Sequence, residues 1–392
     1  MEAVLGLVLI TVISYAGSVY IFRKDKLPPK LRYLFYSGWE FILLGLAAGP
    51  LALNFFPREV LHSFDPVLNL GLAWVGLLFG TQLRYSDVVR LDKRHLAVTF
   101  WQALLTGAAV GVASIPAFYF FSGFPAAVDV SALVVLAASS SLSSPTVLVL
   151  LQKETGFRER VIRLLQLMTN LDAVVAVFVV GIVFTIFRPG ISATDGALLL
   201  FQAALVGILL GFLFYLLPRE KLSENEQLVI LLGFGFFSAG IGSVLQVSPL
   251  FLNMVCGIYL GNTLKKNDAF YSVLFHTEKP IYVVMLILAG LMFRVPEGIW
   301  LVVIATAVVV RLGGKYFFVS RLVKKFEPGF HFPENGGLAL ASQGAMALVI
   351  GFSFLNVFHG EIGEALFSAI VACVMINEII APYLVSRVFR SE

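Results

Sequence analysis

A carboxylate and an amide lie near the middle of a long apolar segment of the chain, at residues 161–187. Its central part reads LQLMTNLDAVVA, in which Asn170 and Asp172 stand among apolar neighbours. An Asp at the centre of a membrane helix costs about 2.5 to 3.5 kcal/mol on insertion scales, and such residues usually line an ion path or a water-filled cavity. The segment therefore predicts that Asp172 binds a proton or a cation within a membrane, with Asn170 as a further candidate ligand. A structural ion pair with a buried basic residue is the alternative.

Two basic residues, Arg311 and Lys315, lie one helical turn apart in a second apolar segment, at residues 297–320. The Arg311 guanidinium cannot be deprotonated in a protein. It can therefore pair with a carboxylate to hold the helices together, or act as a fixed counter-charge when the transported cation is absent. Lys315 is a further candidate for a counter-charge in the core. Because Lys315 lies nearer the end of the segment, its side chain is expected mainly to reach the membrane interface.

A cluster of hydroxyl groups ends at a proline inside another apolar segment, where residues 138–146 read ASSSLSSPT. Pro145 removes a backbone hydrogen bond and obstructs the preceding turn, so it predicts a kinked or broken helix. Broken membrane helices expose carbonyl groups and helix ends that bind ions. Ser143, Ser144 and Thr146 are therefore candidate ligands for a cation. A simple bend, with the serines bonded to their own helix, is the alternative.

A second polar interruption occurs near the end of the chain, where residues 341–345 read ASQGA. The polar and glycine residues Gln343 and Gly344 favour another break, which would complete the site. Glu378 lies in the last apolar segment. We interpret it as a carboxylate on the entry path of the ion or as an interfacial partner of Arg387.

Membrane helices must position these residues, because the composition leaves little polar surface. Of 392 residues, 59% are hydrophobic and 13% are charged, and the mean hydropathy is +0.91. A soluble globule of this size needs more polar surface, and the apolar stretches have the length of about 20 residues that a bilayer requires. Strand-like alternation is absent from the sequence, so we predict an all-α polytopic membrane protein. Its thirteen predicted helices lie near 3–22, 31–56, 66–83, 95–121, 128–152, 161–187, 195–217, 226–246, 249–264, 278–294, 297–320, 335–358 and 361–388.

Basic residues fill every second loop between these helices, as in the groups that include Lys24, Arg94 and Lys153. The positive-inside rule then predicts an outside N-terminus and a cytoplasmic C-terminus, in the plasma membrane or a bacterial inner membrane. Because the basic residues lie in small groups at helix ends, the net charge of +4 does not indicate a nucleic-acid partner. Membrane lipid and small cations are the expected partners.

The pattern of segments predicts one membrane transporter domain over residues 1–392, with no soluble regulatory domain. An odd number of helices allows the first six and the last six to be inverted repeats, with the segment near 195–217 as the linker. The sequence contains no P-loop, dinucleotide fingerprint or nucleophile elbow, and its histidines lack the spacing of metal ligands. We therefore expect neither an enzyme nor a bound cofactor or metal, and only transported ions.

Several stretches resemble the monovalent cation:proton antiporters, in particular the Kef-type potassium efflux proteins and the bacterial sodium/proton exchangers. They are residues 40–50 (EFILLGLAAGP), 76–83 (GLLFGTQL) and 143–154 (SSPTVLVLLQKE). The resemblance spans nearly the whole chain. It implies that Asp172 is the ion-binding carboxylate and that Arg311 is the basic residue of a later core helix.

The resemblance also implies a sodium/proton antiporter-like fold with two discontinuous crossing helices, the second containing Ser342, Gln343 and Gly344. A core bundle would move against a scaffold that forms a homodimer. Two departures concern selectivity: Leu171 precedes Asp172 where many relatives have Asn or Asp, and Ala345 follows Gln-Gly where Kef-type relatives have an acidic residue.

The first functional hypothesis is a cation:proton antiporter that exchanges Na⁺ or K⁺ for H⁺ by alternating access. One mid-membrane carboxylate and an Arg that cannot titrate favour one proton per cation, which makes the exchange electroneutral. The second hypothesis is a non-transporting or channel-like membrane protein that keeps this fold and acts as a sensor or as a subunit of a complex.

Overall fold

The computed structural model of the chain describes residues 38–89, 91–121, 126–145, 148, 159–187, 192–217, 222–265, 269–358 and 360–390. Within these ranges the regular structure is entirely helical. The first predicted helix, near 3–22, and the candidate ligand Thr146 lie outside the described residues.

The longer described helices fall close to the apolar segments of the sequence. They are α1 (Glu40–Ala48), α2 (Asp65–Gln82), α3 (Lys93–Phe121), α4 (Ala126–Ser141), α5 (Glu159–Ile186), α6 (Ala193–Tyr215), α7 (Glu224–Leu245), α8 (Pro249–Thr263), α9 (Ala269–His276), α10 (Glu278–Met292), α11 (Ile299–Phe326), α12 (Ala345–Val357) and α13 (Glu361–Arg390). Short turns of α-helix occur at Arg58–Leu61 and Tyr85–Val88, and 3₁₀ turns at His62–Phe64 and Gly336–Leu340.

Eight helical spans of the described part are long and apolar enough to cross a bilayer, and α4 and α12 are shorter apolar helices. Both short helices stop at the interruptions predicted from the sequence. Helix α4 ends at Ser141 and is followed by non-helical backbone up to Pro145, while non-helical backbone precedes α12 from Ala341 to Gly344. The predicted all-α membrane fold with two discontinuous helices is therefore confirmed.

The described residues belong to two compact units. The first comprises Phe41–Arg90 and Gly181–Met292, and the second comprises Leu91–Val180 and Phe293–Glu392. Helix α5 contributes to both units, because the boundary falls inside it.

Close helix contacts in the first unit depend on glycine. Gly45 of α1 lies against the backbone of Ile287 and Gly290 in α10, and Gly80 of α2 lies against Gly257 of α8. A Cβ atom at these positions would collide with backbone atoms of the neighbouring helix. Such small residues let membrane helices approach closely, which increases the van der Waals contact between them.

The second unit contains every described residue that the sequence singled out as chemically active. Helix α3 packs against α11 and α4. Helix α13 packs against α11, α12 and the 3₁₀ turn Gly336–Leu340. An apolar cluster lies beside the charged residues, since Leu165 and Met168 precede Asp172 on α5 and Val319 follows Lys315 on α11. Its buried members are Val98, Leu148, Val161, Ile162, Leu164, Leu165, Met168, Val319, Val323, Phe332, Ala339, Leu340 and Val385.

Candidate functional site

Asp172 of α5 and Lys315 of α11 face each other in the interior of the second unit. Both side chains are fully buried, and the Lys315 Nζ lies 3.7 Å from the Asp172 Oδ2. The expectation that Lys315 reaches the membrane interface is therefore wrong. That expectation treats a helix as isolated in lipid, whereas here neighbouring helices supply polar partners at depth.

The Lys315 ammonium donates its hydrogen bonds to neutral groups. Its partners are the Gln102 Oε1 of α3 at 2.9 Å and the Ser141 carbonyl at the end of α4 at 2.6 Å. Neither oxygen of Asp172 accepts a hydrogen bond of regular distance and angle from the described residues, and the Ser143 hydroxyl makes none there either, although Ser143 lies close enough to Asp172 to stabilise the carboxylate. Buried polar atoms without a partner are uncommon and need an explanation, which a bound ion would supply.

Arg311 binds the backbone of both discontinuous helices. Its guanidinium donates five hydrogen bonds of 2.6 to 3.2 Å, all to backbone carbonyls. The acceptors are Ser140 and Leu142 at the first break and Leu340, Ala341 and Ser342 at the second. Carbonyls at a helix end lack partners in their own helix and carry partial negative charge, so a buried cation stabilises them.

Glu378 of α13 stabilises the start of α12, where the backbone groups without helical partners are donors. Its carboxylate accepts hydrogen bonds from the Ser342 hydroxyl at 2.9 Å, the Gln343 amide at 2.9 Å and the Gly344 amide at 2.6 Å. A helix N-terminus carries partial positive charge and free N–H groups, both of which suit a carboxylate. Glu378 is buried at the start of α12, whereas the sequence suggested a carboxylate on the entry path or an interfacial partner of Arg387.

The two breaks are bonded directly to each other. The Ser144 amide donates to the Ser342 carbonyl at 2.9 Å. The Gln343 side chain donates to the Ser139 carbonyl at 2.8 Å and accepts from Asn377 at 2.9 Å. These contacts fix the path of the non-helical backbone beside Lys315.

The other candidates lie in different surroundings. Pro145 lies in the non-helical stretch after α4 and is half-buried, and Ser144 is buried against Gly344. Asn170 is exposed, because two residues along a helix correspond to about 200° of rotation and Asn170 therefore points away from Asp172.

Two buried amides were not recognised in the sequence. Gln102 lies in the apolar stretch TFWQALL of α3, and Asn377 directly precedes Glu378 on α13. A polar amide inside a membrane helix is the signal that could have identified both, since such groups need partners in neighbouring helices.

The buried cluster combines two acidic and two basic side chains, Asp172 and Glu378 with Arg311 and Lys315. Three of these groups are engaged by hydrogen bonds, whereas the Asp172 carboxylate has an ion pair with Lys315 at 3.7 Å and no regular hydrogen bond within the described part of the chain. Asp172 is therefore the group of this cluster that could accept a proton or a small cation while the hydrogen bonds of the other three groups stay in place.

Comparisons with known proteins agree with this fold. Two solved structures of the sodium proton antiporter MjNhaP1 from Methanocaldococcus jannaschii are similar to the chain at 16% sequence identity. The structure at pH 8 has a TM-score of 0.66 and the alignment covers 99% of this chain and 100% of that one. The electron microscopy structure has a TM-score of 0.65, with 100% and 98% covered. These likenesses show the fold.

No curated protein sequence matches the chain. The family described as sodium/hydrogen exchanger, transmembrane, matches residues 8–391, which is nearly the whole sequence. This family consists of transporters and not of enzymes. The chain therefore belongs to the sodium/hydrogen exchanger family.

Proposed function

We propose that the protein exchanges a monovalent cation, Na⁺ or K⁺, for H⁺ by alternating access, with Asp172 binding the two ions in turn. The observation that carries the proposal is the Asp172 carboxylate, which is fully buried and accepts no regular hydrogen bond from the described residues, with the Lys315 ammonium 3.7 Å from its Oδ2. A buried anion without hydrogen bonds is unfavourable, so a proton or a metal cation stabilises it.

The proposed cation ligands are the Asp172 carboxylate and the Ser143 hydroxyl, together with Ser144, Thr146 and nearby carbonyls. Oxygen ligands of this kind suit hard monovalent ions. Arg311, Lys315 and Glu378 supply the other charges around this position. Asn170 remains a candidate only if α5 rotates, since its side chain now points away from the site.

The charge of the cluster favours one proton per cation and hence electroneutral exchange. With all four side chains ionised, two positive and two negative charges cancel. A cluster loaded with one proton and a cluster loaded with one Na⁺ then carry the same net charge of one positive unit, whereas a second bound cation would add a further charge and cost several kcal/mol in a dry interior. Lys315 is a second titratable group, so the stoichiometry needs a direct measurement.

We further propose the homodimer, the outside N-terminus and the cytoplasmic C-terminus that the resemblance and the loop charges imply. The two compact units supply the two bodies that alternating access requires. The inverted repeats remain part of this proposal, with α6 as the linking helix.

The decisive substitution is Asp172→Asn, which keeps the size of the side chain and removes its charge. We expect it to abolish Na⁺-, K⁺- or Li⁺-driven proton flux in proteoliposomes, read with a pH-sensitive dye. Glu334→Gln is the matched control, because Glu334 is exposed and pairs with Lys324 only at the surface, at 3.3 Å. Surface pairs contribute about 0 to 1 kcal/mol, so this variant should behave as the wild type.

Two results would contradict the proposal. Flux that survives Asp172→Asn would remove this carboxylate from the mechanism. A wild-type protein that moves protons with none of the three cations would favour the alternative, a membrane sensor or complex subunit that keeps the exchanger fold.

A further inference from the structure

Gln102 is a fully buried amide on α3 that belongs to neither discontinuous helix. Its Oε1 accepts a hydrogen bond from the Lys315 Nζ at 2.9 Å. The orientation of the amide follows from chemistry, because an ammonium group only donates and must therefore face the oxygen. The Nε2 on the other side is buried without a partner among the described residues. Gln102 thus occupies a costly position, and the one hydrogen bond of its side chain within the described part of the chain is to Lys315.

The hydrogen bonds of Lys315 explain why it does not close on Asp172. The ammonium lies 2.9 Å from Gln102 and 2.6 Å from the Ser141 carbonyl, but 3.7 Å from the Asp172 Oδ2. A charge-assisted hydrogen bond between an ammonium and a carboxylate has a length of about 2.7 to 2.9 Å. Two neutral acceptors therefore compete with the carboxylate for the ammonium.

Of these two acceptors, only Gln102 depends on a side chain. The Ser141 carbonyl belongs to the backbone and remains under any substitution. Helix α3 packs against α11, and Thr106, one turn after Gln102, contacts the neighbourhood of Gly314. Gln102 is therefore supported by the packing of α3 on α11.

We propose that Gln102 is a positioning residue of the exchange site, which holds the Lys315 ammonium away from Asp172 so that the carboxylate stays open for a cation. A cation bound at Asp172 keeps the Lys315 ammonium away from the carboxylate. Gln102 and the Ser141 carbonyl then also stabilise that ammonium. This inference rests on the proposed function, because it assigns a consequence to cation binding at Asp172.

The test is Gln102→Leu, which keeps approximately the volume of the side chain and removes the acceptor. Lys315 should then form a direct hydrogen bond to Asp172, with which Na⁺ must compete. We expect the KM for NaCl in proteoliposomes to rise about tenfold, as a lost hydrogen bond to a charged group predicts, with a smaller change in kcat. Gln102→Glu keeps an acceptor at the same reach, so its KM should stay below that of Gln102→Leu.

A double-substitution experiment separates positioning from packing. In a Lys315→Met background there is no ammonium to hold, so Gln102→Leu should leave the KM for NaCl unchanged. If turnover in this background is too slow to measure, the dissociation constant of Na⁺ from calorimetry should be unchanged instead. An equal rise in both backgrounds would overturn the inference, and so would an unchanged KM in the otherwise wild-type protein or a Gln102→Glu variant as weak as Gln102→Leu.

Failure of this inference is distinguishable from failure of the proposed function. If the wild type exchanges Na⁺ for H⁺ and Asp172→Asn does not, the function stands whatever Gln102 does. If the wild type lacks exchange, or Asp172→Asn retains it, the function itself is wrong and the role of Gln102 falls with it.

Discussion

Arg311 and Glu378 of the buried cluster each form a set of hydrogen bonds that few other residue types could form. Arg311 donates five hydrogen bonds to carbonyls of two separate segments, which uses the planar fork of the guanidinium. Glu378 accepts from two backbone amides and one hydroxyl. The first residue stabilises the ends of helical segments and the second stabilises a beginning, so together they neutralise both kinds of broken helix terminus.

Replacing Arg311 by lysine should destabilise the protein although the charge is kept. Lysine has three donors on a narrow ammonium group and cannot replace all five bonds. Each buried carbonyl left without a donor costs about 1 to 3 kcal/mol, so we expect a loss of about 2 kcal/mol or more. Thermal unfolding in detergent measures the change.

Arg321→Lys provides the control for that experiment. Arg321 lies on the same helix and is exposed. Its Cζ lies 3.3 Å from the centroid of the Phe317 ring, an interaction that lysine can also form. Its unfolding temperature should stay close to that of the wild type. Equal stability of the Arg311→Lys and Arg321→Lys variants would mean that the carbonyl contacts do not matter for folding.

The start of helix α12 depends on the residue that precedes it, Gly344. Gly344 has a φ of +77° and a ψ of 172°, a conformation that is essentially restricted to glycine. A Cβ atom at Gly344 would also lie 2.7 Å from the Ser144 Cβ of the other break. The crossing of the two breaks therefore requires glycine both for its backbone conformation and for space.

Gly344→Ala should lower the stability by at least about 1 to 3 kcal/mol from backbone strain alone, with a further loss from the collision. Adding Ser144→Gly removes the collision but leaves the strain, so the double variant should recover only part of the loss. Differential scanning fluorimetry in detergent compares the three proteins.

Gly313→Ala is the matched control on α11. Nothing lies within 4 Å of a Cβ atom at this position, and alanine favours a helix interior over glycine by roughly 0.5 to 1 kcal/mol. This variant should be as stable as the wild type or more stable. A Gly344→Ala protein that matched it would contradict the role given to the Gly344 backbone.

The sequence revealed the elements of the site better than their contacts. A carboxylate at Asp172 and a proline at Pro145 stand out because each violates the pattern of its own helix. The partnership of Lys315 with Gln102 joins residues 213 positions apart in the sequence, and no local pattern encodes it. The same holds for Glu378, whose position on α13 gave no sign that it binds the start of α12.

For the whole molecule, the balance of charges makes a prediction about voltage. If one cation replaces one proton, no net charge crosses the membrane in a cycle. A transported charge would contribute about 2.3 kcal/mol per 100 mV of membrane potential, which would change the rate strongly. We therefore expect the initial rate of Na⁺-driven proton flux to be the same at positive, zero and negative voltage.

A thiocyanate gradient can set that voltage without adding potassium, which is itself a candidate substrate. Vesicles containing the Asp172→Asn variant give the leak that must be subtracted. A rate that follows the sign of the voltage would mean that Lys315 supplies a second proton in each cycle, and electroneutral exchange would then be wrong.

The bonds of Arg311 also bear on how freely the sequence around it can change. Every residue type carries a backbone carbonyl, so the guanidinium recognises the course of the chain and not the side chains at Leu142, Leu340 or Ala341. Substitutions that fit the available volume at these three positions leave all of the acceptors in place. The five bonds of Arg311 are thus tolerant of mutation at their backbone acceptors, and their vulnerability is concentrated in the single donor residue.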